Sequence, residues 1–97
     1  MARVIWTPVA ESELENILFY IRVTDARPLT ARRIGEGIVA EAERIAATPQ
    51  SGSQHPAAPS GWLYVKYKRW LIFYQPNLDG IEVMRVIDAV RDLPGQL

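Results

Sequence analysis

WLYVKYKRWLIFYQPNLDGIEVMRVIDAVRD, residues 62–92, is the stretch whose reading decides the fold. It holds three runs rich in aromatic and β-branched residues, at 62–67, 70–75 and 81–87. Runs of this length bounded by Gly, Pro, Asn and Asp are the signature of strands joined by tight turns. Lys68-Arg69 leaves room only for an antiparallel turn between the first two runs, although it lacks the glycine such turns prefer. Pro76-Asn77-Leu78-Asp79-Gly80 supplies the second turn. The expectation is a three-stranded antiparallel meander, with everything upstream covering one face of it.

Upstream, Val4-Ile5-Trp6 closes a short apolar run that reads as a strand over 2–6. Thr7 then suits the N-cap of a helix, with Pro8 at the first helical position, where its missing N–H costs nothing. Ala10, Leu14, Ile17, Leu18 and Ile21 recur at helical spacing, so the first helix is expected over 8–23. Pro28 opens a second helix, whose inward stripe is Ala31, Ile34, Ile38, Ala42 and Ile45, ending near Ala47. Gly35 and Gly37 inside it cost about 1 kcal/mol each relative to alanine, which points to close packing of the two helices. Residues 49–61, PQSGSQHPAAPSG, form a loop long enough to be mobile or functional.

Strand, helix, helix, strand, strand, strand is an α+β order. The expected architecture is one domain over 1–97, a helical hairpin packed on one face of a small, mainly antiparallel sheet. The first strand returns to that sheet in parallel, and the other sheet face stays partly open. Alternation along the last strand puts Val83, Arg85 and Ile87 on one side and Met84 and Val86 on the other.

Eleven basic and eleven acidic residues give a formal net charge of zero, so bulk charge argues for neither nucleic acid nor a membrane surface. With no cysteine there is no disulfide framework, and with the single His55 a zinc site would need three carboxylates around it. No apolar run approaches the ~20 residues of a membrane span, and no signal-peptide core follows Met1. The expected compartment is the cytoplasm, with no cofactor.

Glycine-rich phosphate loops, nucleophile elbows and metal-ligand motifs are all missing from the sequence. His55 reads as a solvated loop histidine. Lys66, Lys68 and Arg69 are interleaved with Trp62, Tyr64, Tyr67 and Trp70, the ingredients of single-stranded nucleic-acid binding. The competing reading is a solvated turn whose aromatics belong to the core. Arg85, inside a strand, needs a carboxylate or carbonyl partner, for which Asp88 and Asp92 are close in sequence. The alternative is a recognition residue on the open face.

These features together resemble the RelE/ParE toxin superfamily, and its ParE branch most. The carrying segments are Leu14-Glu15-Asn16-Ile17-Leu18-Phe19-Tyr20-Ile21, Ile45-Ala46-Ala47-Thr48-Pro49-Gln50-Ser51-Gly52 and Trp70-Leu71-Ile72-Phe73-Tyr74, with the closing run from Ile81 to Leu93. The resemblance implies a non-catalytic toxin that traps DNA gyrase on cleaved DNA. It also implies a ParD-like antitoxin, held in a hetero-oligomer such as a heterotetramer, and no sequence-specific DNA binding by the toxin itself. The RelE branch instead cuts mRNA on the ribosome. That chemistry needs an arginine where Leu71 stands, and a further arginine and tyrosine where this chain has Asp92 and a tyrosine-free tail. The ParE branch often has histidine where Asp88 stands, which keeps an inactive antitoxin-binding module as a third reading. Candidate target-binding residues are Lys66, Lys68, Arg69, Arg85, Asp88 and Arg91. Candidate antitoxin-binding residues are Leu14, Ile17, Ile21, Ile34, Ile38, Trp70 and Arg85, because segments that fold on binding lay an amphipathic helix in a groove or add a strand to an edge. Acidic antitoxin residues are expected to meet Arg69, Arg85 or Arg91.

Overall fold

The computed structural model describes residues 2–90 and 97. Among these residues the chain forms β1 (Arg3–Trp6), α1 (Pro8–Phe19), α2 (Pro28–Ala47), β2 (Leu63–Tyr67), β3 (Trp70–Asn77) and β4 (Gly80–Asp88). The sheet order is β1-β4-β3-β2, with β1 parallel to β4 and the other pairs antiparallel. The α+β order and the parallel return of β1 are as the sequence implies. Arg91 and Asp92 lie outside the described residues.

Thr7 caps α1 by accepting the Ala10 N–H at 3.1 Å, and Pro8 opens the helix. The helix does not run on to Val23 as α-helix. After Phe19 it widens into a π-helical turn, Tyr20–Thr24. Asp25 N–H then reaches Tyr20 O at 3.0 Å and Arg27 N–H reaches Ile21 O at 2.9 Å, while Ala26 takes a φ of 53°. This left-handed step, made without a glycine, ends the helix and turns the chain into α2. The wide turn keeps Ile21 in the core and leaves Phe19, Tyr20 and Val23 exposed.

The buried stripe of α2 is the expected one, Ala31, Ile34, Ile38, Ala42 and Ile45, joined by Ala46. It packs with Ile72, Tyr74, Ile81, Val83 and Val86 of the sheet. Burying each of these large apolar side chains contributes about 1.5–3 kcal/mol. Gly35 does mark helix–helix contact, since a Cβ there would stand 3.0 Å from Leu18 of α1. Gly37 does not. Its Cβ would lie 1.9 Å from the Tyr67 hydroxyl, so it makes room for β2 rather than for α1.

The expected alternation along β4 fails, and a bulge is the reason. Phe73 pairs with Arg85 and Tyr74 with Val83, which leaves Met84 as an extra residue. A bulge shifts the side-chain phase by one. Val83 and Val86 therefore share the helix-side core, and Ile87 joins Leu71 and Phe73 on the opposite face.

That opposite face is more covered than the sequence suggests. Residues 52–61 fold back over Phe73, and Ser53 exchanges two backbone hydrogen bonds with Tyr64. His55 is half-buried, not solvated. Its ring stands edge-on to Tyr64 and Phe73 at 5.6 and 5.8 Å, and its Nδ1 accepts the Ala57 N–H at 3.0 Å. Tyr74 fixes the start of this segment by donating to Pro49 O at 2.6 Å and accepting from Gly52 N–H at 3.0 Å.

Candidate functional site

β1 pairs with β4 only as far as Val83, so the rest of that edge needs other partners. The start of α1 supplies them. Thr7 Oγ1 donates to Met84 O at 3.1 Å, and the Glu13 carboxylate accepts the Val86 N–H at 3.0 Å. Glu13 also takes Arg85 Nε at 3.0 Å and Nη2 at 2.8 Å. The structural ion pair expected of Arg85 exists, and among the described residues its partner is Glu13 rather than Asp88, while Asp92 lies outside the described residues. The hydrogen bond to Glu13 raises the Arg85 pKa above the usual arginine value, against the opposing effect of burial.

Past this clamp, the π-turn, the start of α2 and the ends of β3 and β4 diverge and leave an open groove of about 650 Å³. Ile17 and Ile21 form one wall, Ile34 another, and Trp70 and Val86 the floor. Arg69, in the β2–β3 turn, lies over the Trp70 ring at 5.9 Å and forms a short ion pair with Asp88. Its pKa is raised, first by the hydrogen bond to Asp88, then by that carboxylate's charge. Asp88 Oδ1 also accepts the Val90 N–H at 3.0 Å, so Asp88 ties the end of β4 to the turn.

The groove gathers four of the seven candidate antitoxin contacts, Ile17, Ile21, Ile34 and Trp70. Ile21, Ile34 and Trp70 are largely buried there. Leu14 packs against the core, and Ile38 is fully buried beneath it. Arg85 stands behind Glu13.

The candidate target residues do not converge. Lys66 is exposed on the loop-covered face of β2, which Tyr64 shares, and Lys68 Nζ sits 5.7 Å over the Tyr67 ring. Arg85 turns to α1, and only Arg69 and Asp88 border the groove. Arg91 lies outside the described residues. Of the basic and aromatic cluster, Trp70 and Tyr67 face the helix-side core, and Trp62 and Tyr64 pack against Phe73.

Asn16, Tyr20, Asp25, Arg27 and Thr30 also line the groove, and sequence reasoning had passed over them. The available signal was Asp25-Ala26-Arg27 directly before Pro28, a charged link with no glycine that reads as a mere connection. Chemically the groove offers apolar side chains bordered by charged ones. Among the described residues no group of three His, Cys, Asp or Glu side chains comes together, and no helix is long and apolar enough to cross a membrane.

Comparison with known proteins agrees with this geometry. A family model described as the ParE toxin of the type II toxin–antitoxin system parDE matches residues 4–93. Among solved structures, a chromosomal ParDE toxin–antitoxin system from P. aeruginosa superposes with a TM-score of 0.72 at 18% identity. The match covers 91% of this chain and 96% of that one. No curated protein matches the sequence.

Proposed function

Because the chain belongs to the ParE toxin family of type II toxin–antitoxin systems, we propose that it poisons DNA gyrase and is silenced by a ParD-like antitoxin whose amphipathic helix fills the groove. The observation that carries the antitoxin half of this reading is the groove itself. Its apolar lining of Trp70, Ile17 and Ile21 is bordered by charged side chains, and the groove is open to solvent. An amphipathic helix lays its apolar face into such a surface. Leu14 and Ile38 belong to the core cluster that also holds Ile34 and Trp70.

The gyrase half rests on the family and on an argument against the nuclease reading. Ribosome-dependent RNA cleavage by the related branch uses basic and tyrosine side chains on the sheet. Here Leu71 is buried where an arginine is needed, Arg85 is held by Glu13, and Phe73 and Tyr64 on the sheet face opposite the helices are covered by His55 and Ala58. We therefore read the chain as non-catalytic, acting in the cytoplasm, with Lys66, Lys68 and Arg69 as its exposed candidate contacts to the target.

A supercoiling assay tests this. Purified chain, gyrase, plasmid and ATP should accumulate cleaved plasmid, and antitoxin should abolish the effect. Normal supercoiling with cut mRNA on ribosomes would favour the nuclease. Growth unaffected by induction would favour an inactive binding module.

A further inference from the structure

Five charged side chains border the groove: Glu13, Asp25, Arg27, Arg69 and Asp88. Three of them are already paired within the chain. Glu13 holds Arg85 and the Val86 N–H, and Arg69 holds Asp88. Asp25 and Arg27 are exposed, and among the described residues neither side chain has an ion pair or hydrogen bond. They flank Ala26, two posts of opposite sign at the mouth of the groove.

Their backbone is held firmly for a link between helices. Asp25, Ala26 and Arg27 each donate an N–H back into the π-turn, to Tyr20, Val23 and Ile21 carbonyls at 3.0, 3.3 and 2.9 Å. Ala26 is held at a φ of 53°, a conformation a non-glycine residue keeps only where its surroundings fix it. Charges mounted on an ordered backbone lose less freedom when a partner arrives.

From this we infer that Asp25 and Arg27 select the antitoxin, by requiring a basic group opposite Asp25 and an acidic group opposite Arg27 on the helix that fills the groove. The inference rests on the antitoxin reading of that groove. Because the two free charges cancel, selection is by pattern and not by net charge. An antitoxin with the two groups exchanged meets like charge at both posts, which is how closely similar partners are rejected. Arg69 and Arg85, two of the three arginines expected to meet antitoxin acids, contribute little to this choice because each already has a carboxylate.

The probe is a panel of purified ParD-like antitoxins, titrated against the wild-type chain and against Arg27→Glu and Asp25→Lys. At least one antitoxin should bind wild type, and each reversal should weaken that binding about tenfold. Arg32→Gln, on α2 outside the groove and paired with Glu36, should change it by less than about twofold. Reversing one acidic residue of the bound antitoxin should restore binding to Arg27→Glu. Unchanged affinity in both reversal variants would overturn the inference and leave the groove reading intact. No binding of any antitoxin to wild type would overturn both. Arg27→Gln serves if a reversal variant melts early, and it should still weaken binding severalfold.

Discussion

Gly80 shows how much one missing Cβ decides. Its φ is 154°, and an added Cβ would lie 2.1 Å from Arg3 O on β1, a backbone atom that cannot step aside. Gly80→Ala should therefore push β1 off β4 and cost about 2–4 kcal/mol, seen as a drop in Tm of roughly 10–20 °C. A melt within a few degrees of wild type would disprove the clash. Tyr74 carries a second residue-scale prediction. Burial raises its phenol above the ordinary tyrosine value, outweighing the Gly52 N–H that favours the charged form. Below about pH 10 folded and unfolded chains both keep this proton, and the contribution of Tyr74 is fully present. As pH rises further, the unfolded chain releases the proton first, so stability falls until the folded value is passed. The stability difference between wild type and Tyr74→Phe should stay level from about pH 7 to 9 and narrow above about pH 10 in denaturant titrations. Residue roles were the least legible part of the sequence. A partner for Arg85 could be demanded from its place in a strand, but choosing Glu13 requires knowing that α1 crosses the end of β4, across 72 positions of chain.

At the scale of elements the sequence said much more, because hydrophobic periodicity and turn residues act locally. Thr7-Pro8 and Lys68-Arg69 mark their boundaries directly, and the α2 stripe is buried as its spacing implies. β3, however, runs on through Pro76 to Asn77, inside the turn expected over 76–80, because Pro76 and Asn77 still pair with Ile81 and Gly80. Two irregularities escaped, for one physical reason. The π-turn at Tyr20–Thr24 and the Met84 bulge each insert a residue that is visible only in what the backbone pairs with. The bulge turned the expected faces of β4 over, and Glu13 caps the edge of β4 that β1 leaves free beyond Val83. Glu13→Ala would leave the half-buried Arg85 guanidinium and the Val86 N–H without that acceptor. It should cost about 2–3 kcal/mol in chemical denaturation, whereas Glu13→Gln, which keeps an acceptor oxygen, should cost about half as much. Equal losses in the two variants would mean that the charge, and not the cap, is what matters.

For the whole molecule, the candidate groove arises from divergence. The helical hairpin tip and the open end of the sheet part company beyond Val86, and four residues read from sequence as partner contacts meet there. They could be foreseen because an apolar stripe wider than one helix face needs a second cover. The rim could not, since Asp25, Arg27 and Asp88 come together only through the topology. Trp70 makes the groove observable. It is 8% exposed, lies on the floor, and carries Arg69 over its ring. In a Trp6→Phe, Trp62→Phe background it is the sole tryptophan, so its emission reports on the groove alone. A helix seated there would strip the remaining water from the ring and shift the emission to shorter wavelength. The same complex at a free antitoxin concentration of 100 Kd should gain about 2.7 kcal/mol, or roughly 10–20 °C in Tm. A Tm rise of that size without a Trp70 shift would place the antitoxin on another surface, and the outer edge of β2 beyond Tyr64, where Ser53 no longer pairs, would be the next to probe.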